Sequence, residues 1–396
     1  MDEIEQFNLS VPAGCDPDDV IYQSLKQLLY HDIIDTPINF NGCMPQCGMC
    51  YRGSKEWDYI LFNLAVVGII LPTVGVFGTI GNGISAYIYS RPEMRSSTNF
   101  YLCALACSDM GVALTGIFLF SLETYRTFSL TVTRLSGFFS IIVYPIGMIA
   151  QTCSVYFTMC AGFDCFVQVC LPEKISRVFS RPCTVRFFAF FVVLFAILYN
   201  VPHFFEGFVI DCYHKEMGGM SKEVCPTTLR YNEVYQTVYY KYMYTVFLAV
   251  GPLITLIILN SFIIGFSVFG SSSGNMDDTM SLVLVVLLFI SCNTVALIIN
   301  IFESHLSESL GSKINYIVDV SNFLVVFNSS FNLIIYMKYS QPFYDTFRIY
   351  FGRRKQKADS PGPGPPIMIT EKASKTKICK ERLSRLLVAS QPEVLI

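Results

Sequence analysis

Asp109 is the only charged residue between Asn99 and Leu122. Leu105, Ala106, Cys107 and Ser108 precede it, and a long, mostly apolar run follows. A carboxylate in hydrocarbon costs a few kcal/mol or more, so it must face protein partners or trapped water. Other apolar runs offer partners: Asn82 in the first, Ser154 in the third, Asn293 in the sixth, and Asn328, Ser329 and Asn332 in the last. Amides and hydroxyls round one carboxylate can simply bind helices together, as polar groups do in membranes. They can also form a site, for which the rest of the chain is scaffolding.

A second group of reactive side chains lies near the start. Cys15, Cys43, Cys47 and Cys50 fall within residues 1–58, which carry ten acidic residues against Lys26, Arg52 and Lys55. The spacing Cys43-x3-Cys47-x2-Cys50 fits a metal knuckle or disulfides. No histidine lies among the three, which favours disulfides in an oxidising compartment. Cys212 and Cys225 could pair with each other or with these cysteines, and sequence alone leaves the connectivity open. Asn8-Leu9-Ser10 is a glycosylation sequon if this end is extracellular. No basic start followed by an apolar core is present, so the first apolar run is expected to direct membrane insertion.

The elements that must position these groups are transmembrane helices. Of the 396 residues, 53% are hydrophobic and only 15% charged, which points to a polytopic membrane protein. Seven apolar stretches run over about 59–90, 98–122, 136–163, 187–205, 242–270, 280–302 and 314–337. Most exceed the roughly 20 residues that an α-helix needs to cross a bilayer. The fifth should begin earlier, in the aromatic run Tyr235 to Tyr244, whose rings suit the interface. The third-to-fourth link carries Lys174, Arg177, Arg181 and Arg186, and the tail beyond 352 carries ten basic residues against four acidic ones. By the positive-inside rule these face the cytoplasm, and the N-terminus lies outside.

The expected fold is all-α: a seven-transmembrane helix bundle at 59–338 behind an extracellular segment, 1–58. A short amphipathic helix, 339–351, follows the last span, because Phe343, Phe347, Tyr350 and Phe351 recur at helical spacing. It can lie on membrane lipid or pack on the bundle. Residues 352–396 read as a disordered basic tail with phosphorylatable Ser and Thr. Cys379 in that tail is a palmitoylation candidate.

Several motifs fall in order on these spans. They are Gly81-Asn82, Leu105-Ala106-x-x-Asp109, Pro252, Phe289-x-x-Cys292, and Asn332-Leu333-Ile334-Ile335-Tyr336 six residues before Phe343. Together they resemble a rhodopsin-like G-protein-coupled receptor over roughly residues 59–351. Further phrases are similar to invertebrate FMRFamide-type neuropeptide receptors. These are Arg91-Pro92-Glu93-Met94-Arg95-Ser96-Ser97-Thr98-Asn99, Tyr199-Asn200-Val201-Pro202-His203-Phe204-Phe205-Glu206, Cys292-Asn293-Thr294-Val295-Ala296-Leu297 and Asn328-Ser329-Ser330-Phe331-Asn332.

The departures are specific. Asp164-Cys165-Phe166 stands where the class carries an acid, an arginine and a tyrosine. Asn293 replaces a usual Trp, and Leu333 a usual Pro. No cysteine starts the third span to anchor the usual outer disulfide. With Cys165 in place of arginine, the basic link Lys174 to Arg186 is the nearest source of a cation for Asp164.

The resemblance implies an extracellular amidated peptide as ligand and a heterotrimeric G protein as partner, with arrestin at the phosphorylated tail. It also implies a sodium ion held round Asp109 as the one expected bound group, a coupling switch at Asp164, Cys165, Phe166 and Tyr336, and plasma-membrane location. A peptide ending in Arg-Phe-amide needs an acid near an apolar mouth. Glu123, Glu206, Glu303 and Asp319 all count to the outer face, and Tyr316 could stack on the phenyl ring. A transporter would use Asp109 as its ion site, but the odd number of spans and the lack of an inverted repeat argue against it. A chemosensory or weakly coupling receptor for another ligand is the alternative that Cys165 favours. No catalytic constellation and no nucleic-acid partner are expected; His203, His214 and His305 are scattered.

Overall fold

Among the described residues, seven apolar segments form helices long and apolar enough to cross a membrane: Trp57–Tyr89, Ser97–Tyr125, Leu130–Cys170, Pro182–Phe205, Glu233–Ser267, Thr279–Ile299 and Gly311–Tyr339. They are called the first to seventh spans below. The computed structural model describes residues 12–16, 19–30, 34, 37–50, 56–269 and 276–352. The Asn8 sequon, the link at 270–275 and the tail from 353, with Cys379, lie outside the described residues.

Local sequence explains the span ends. Ser96 caps the second span by accepting from the Asn99 N–H at 3.1 Å, and Asn99 Nδ2 donates to the Met94 carbonyl at 2.9 Å. A cap of this kind satisfies backbone groups that a helix end leaves orphaned. The fifth span begins at Glu233, two residues before the aromatic run, and winds with π geometry over Gln236–Val250. It returns to α geometry at Gly251, where the Val246 carbonyl leaves no room for a Cβ. The next residue, Pro252, has no N–H to place in the helix. The sixth helix, from Met276, breaks at the non-helical dihedrals of Phe302 before a further helical segment runs on to Leu310, so Glu303 stands where the sequence ends the sixth apolar stretch. It lies one residue past that break.

Packing follows the small and polar residues. Gly78 of the first span lies so close to Ser330 of the seventh that a Cβ would overlap the serine. This is the small-residue contact that lets membrane helices approach. The broad apolar faces of Phe187, Phe190, Phe191 and Leu198 on the fourth span, and Ile257 and Phe262 on the fifth, point outward. In water such a surface would be a liability; against acyl chains it is the expected finish of a spanning helix. At the tail end of the bundle, the helix Gln341–Phe351 is capped by Ser340, whose hydroxyl accepts from the Phe343 N–H. Phe343 is fully buried, with its ring centroid 5.1 Å from Tyr89 and 5.6 Å from Tyr336. Ile349 and Phe351 remain exposed.

At the opposite end, the N-terminal segment carries the short paired strands β1 (Phe40–Asn41) and β2 (Met44–Pro45), and strands β3 (Gly207–His214) and β4 (Gly219–Pro226) form an antiparallel hairpin between the fourth and fifth spans. The N-terminal segment packs on it. Its helix Val20–Tyr30 buries Tyr22, Leu25, Leu28 and Leu29 on one face, against Ile210 and Cys225 of the hairpin. Three disulfides complete the cap: Cys15–Cys43, Cys47–Cys212 and Cys50–Cys225. The metal-knuckle alternative for Cys43, Cys47 and Cys50 is thereby excluded, and both hairpin cysteines pair with the N-terminal segment rather than with each other. Glu223 of β4, also buried, accepts from the N–H groups of Gly48 (2.8 Å), Met49 (3.4 Å) and Cys50 (3.0 Å). Third-span residues support the hairpin from below: Gly137 packs on the Lys222 carbonyl, and Arg134 Nε donates to the Met220 carbonyl.

Candidate functional site

The polar core forms where the second, third and seventh spans meet. Asp109 is fully buried. Its Oδ1 accepts from the Ser154 hydroxyl at 2.6 Å and its Oδ2 from Asn332 Nδ2 at 2.7 Å. Ser329 bonds to it as well. Asn82 stands one step away and donates to the Ser329 carbonyl at 2.6 Å, which draws in the first span. Asn328 is buried next to Ser329 along the chain. Asn293 is not part of the ring. Its amide bonds to its own helix, to the Phe289 carbonyl at 2.8 Å, and the side chain lines a small cavity with Gln151 and Tyr244.

The donor set fits a small hard cation. Asp109, Ser154 and Ser329 bring oxygen, the ligand type that such ions prefer. Asn332 Oδ1 is buried with no hydrogen-bond partner among the described residues. An unsatisfied buried acceptor costs about 1–3 kcal/mol, and a bound ion would relieve it.

At the tail end, Asp164 is buried and accepts three hydrogen bonds at Oδ2: from Ser97 (2.7 Å), Thr98 (2.7 Å) and Gln168 (2.6 Å). The expectation that the basic link 174–186 would fold back to this carboxylate is not met. Hydroxyls at the start of the second span and an amide one turn along the third supply the donors instead. Cys165 is buried in the apolar core beside this group. Phe166 faces the fifth span, 5.9 Å from Phe262 between ring centroids. Tyr336 is fully buried against Tyr89 at 5.2 Å, and its hydroxyl has no hydrogen-bond partner among the described residues.

Toward the hairpin, two cavities share Leu119 and Tyr144 in their walls. The deeper one, about 390 Å³, is lined by Val112, Phe120, Met148, Gln151, Tyr244 and Asn322, among others. The upper one, about 450 Å³, is lined by Glu123, Arg126, Ser136, Ser140, His203, Glu206 and Arg230, with β4 residues over it.

The four carboxylates expected at this mouth have different surroundings. Glu123 lines the upper cavity and pairs with Arg126 at 2.8 Å. Glu206 lines it too but is 5% exposed and heavily bonded. Its donors are His203 Nδ1 (2.9 Å), Tyr235 (2.6 Å), Tyr240 (2.6 Å) and Arg230 Nη1 (2.8 Å). Burial pushes the Glu206 carboxyl up, but hydrogen bonds from His203, Tyr235 and Tyr240 outweigh it and hold the carboxyl down to about 2. Asp319 turns away from both cavities and accepts from Asn63 Nδ2 of the first span at 2.8 Å. Tyr316 packs on Tyr59 and Phe62, at 5.3 and 4.9 Å, rather than lining either cavity. The Glu303 side chain lies outside the described residues.

Sequence reading missed Arg126, Tyr144, Gln151, Asn322 and Arg230. Each is an ordinary polar or aromatic residue whose importance comes from the wall it joins. Two of them had a usable signal: Arg126 stands three residues beyond Glu123, and Gln151 interrupts an apolar run.

The family model "7 transmembrane receptor (rhodopsin family)" matches residues 81–336. The chain is 42% identical over 326 residues to "Probable G-protein coupled receptor frpr-1" of Caenorhabditis elegans, covering 77% of this chain and 84% of that one. It is 31% identical over 313 residues to the "FMRFamide receptor" of Drosophila melanogaster, covering 75% of this chain and 55% of the relative. "FMRFamide peptide receptor frpr-18" of C. elegans is 29% identical over 317 residues, 72% of this chain and 68% of its own length.

Proposed function

The chain belongs to the rhodopsin family of seven-transmembrane receptors, and we propose that it is a G-protein-coupled receptor for an amidated neuropeptide of the FMRFamide kind. The observation that carries this is the pair of stacked cavities. The deeper one combines aromatic and aliphatic walls with the amides of Gln151 and Asn322. That is the chemistry a terminal phenylalanine amide requires: a ring to bury, and an uncharged group that both donates and accepts. The upper cavity carries Glu123 at the height where the preceding arginine would stand. A charge-assisted arginine–carboxylate pair in a half-dry cavity is strong and directional.

The hairpin end faces the extracellular side of the plasma membrane. Three disulfides gather there, as an oxidising compartment favours. The opposite end, with Asp164, Tyr336 and the helix Gln341–Phe351, faces the G protein, and the exposed Ile349 and Phe351 rest on inner-leaflet lipid. Arrestin would engage the tail once phosphorylated. Binding above must favour a second arrangement of the bundle to be read below. Tyr336 suits such a switch, because its buried hydroxyl gains a partner only if it moves. Asp109, Ser154, Ser329 and Asn332 would hold a sodium ion that favours the resting arrangement.

The test is a panel of peptides on cells expressing the chain, read by calcium and cyclic AMP. Phe-Met-Arg-Phe-amide should elicit a response, and its free-acid form should be at least about ten-fold weaker, the effect of roughly 1.4 kcal/mol. Silence toward all amidated peptides, with the chain shown at the cell surface, would exclude the proposal.

A further inference from the structure

Glu123 and Arg126 meet at the hairpin end of the second span through Glu123 Oε1 and Arg126 Nη1, 2.8 Å apart. Both line the upper cavity. Glu206, the other acid in that wall, is 5% exposed and already bonded by His203, Tyr235, Tyr240 and Arg230. A newcomer would have to break up that network. Glu123 is 32% exposed and is held through Oε1. It is the acid of this cavity wall that an incoming cation can reach, and a guanidinium already stands on it.

We propose that Arg126 is a built-in competitor: it occupies Glu123 when the receptor is empty and yields it to the arginine of an arriving peptide, a proposal that rests on the amidated-peptide reading. Two guanidinium groups on one carboxylate in a half-dry cavity repel, so an arriving arginine weakens the hold of Arg126 on it. The Arg126–Glu123 contact is made by one nitrogen and one oxygen, whereas an incoming arginine can take both carboxylate oxygens as a fork. The Arg126 carbonyl is held by the Thr133 hydroxyl at 2.8 Å, so the backbone stays in place when the side chain moves. The competitor lowers affinity for every peptide that needs Glu123 and is indifferent to one that does not.

The experiment measures binding of Phe-Met-Arg-Phe-amide, and of the same peptide with citrulline for arginine, to wild type, Arg126→Gln and Arg126→Lys at matched surface expression. Arg126→Gln should tighten the arginine peptide about ten-fold and leave the citrulline peptide within about two-fold. Arg126→Lys keeps the charge and should bind the arginine peptide like wild type. An arginine peptide that binds Arg126→Gln no better than wild type would overturn the proposal. So would a loss of both peptides together in that variant, which would mean that Arg126 contacts the ligand itself. Failure of wild type and both variants to bind either peptide would overturn the amidated-peptide reading and the competitor with it.

Discussion

The Ser97 hydroxyl reaches the Asp164 carboxylate at 2.7 Å and ties the first turn of the second span to the last turns of the third. Thr98 and Gln168 bond to the same oxygen. In this chain the acid beside Cys165 is therefore held by neutral donors, with no arginine required. Ser97→Ala combined with Thr98→Ala should raise ligand-independent signalling. Removing two donors from a buried carboxylate weakens the resting arrangement, and each kcal/mol lost changes the resting-to-active ratio about five-fold. Basal second messenger per receptor at the surface is the measurement; no rise would show that these bonds persist in the active state. Cys165→Arg should instead lower surface expression, because it places a cation in a packed apolar core.

Asp109→Asn should keep the fold and remove sodium sensitivity. Asn332 and Ser154 can still bond to an amide of the same shape, but the charge that attracts a cation is gone. Agonist affinity of the wild type should fall when sodium replaces choline in the buffer, by several-fold, within the 5–150-fold usual for coupled sites. The mutant should show no difference. Equal sodium effects in both would remove the ion site.

Replacing Cys50 and Cys225 together by Ser should loosen the hairpin without unfolding the bundle, because Cys47–Cys212 remains. Loss of a native disulfide typically costs about 2–5 kcal/mol. Peptide dissociation should quicken and affinity fall by about ten-fold or more, since β4 residues Val224 and Cys225 line the upper cavity. Unchanged dissociation would mean that the N-terminal cap is irrelevant to the ligand.

Acid should destabilise the receptor in part through Glu206. Its carboxyl titrates near 2 in the fold, below its ordinary value of 4.5. A depressed pKa contributes stability that is complete above about 4.5 and fades as pH falls toward 2. Glu206 should therefore contribute no pH dependence between 5 and 8. Glu206→Gln should lower the melting temperature at pH 7 by removing the charged acceptor of Arg230, Tyr235 and Tyr240, a loss of about 1.5–3 kcal/mol for hydrogen bonds to a charged group. The gap between wild type and mutant should narrow below pH 4.5. A gap that stays constant down to pH 3 would show that the effect is steric. Melting of the detergent-solubilised receptor supplies both curves.

The sequence was most informative where burial and charge conflict. Asp109 in an apolar run forces partners, and three of the proposed ones, Ser154, Ser329 and Asn332, are bonded to it. Asn293 could not be separated from them, because span rotation decides whether an amide faces the core or bonds back to its own helix. The mouth was less legible. Glu123, Glu206 and Asp319 look alike in one dimension, each an acid at a span end. Their fates depend on Arg126, on a tyrosine cluster and on Asn63, which come from different turns and different spans. The disulfides were readable as a class but not as pairs, since connectivity depends on how the N-terminal helix lies on the hairpin.

The Cys50–Cys225 bond spans 175 residues and closes a covalent ring that runs through the first four spans. A protease that cuts the link between the third and fourth spans would therefore leave a single covalent molecule. On a gel without reductant the nicked receptor would migrate near full length. Thiol treatment would split it into two pieces, one carrying the first three spans and the other the remaining four. The bond thus makes the receptor's backbone redundant over nearly half its length, so that integrity of the chain and integrity of the molecule become separately measurable.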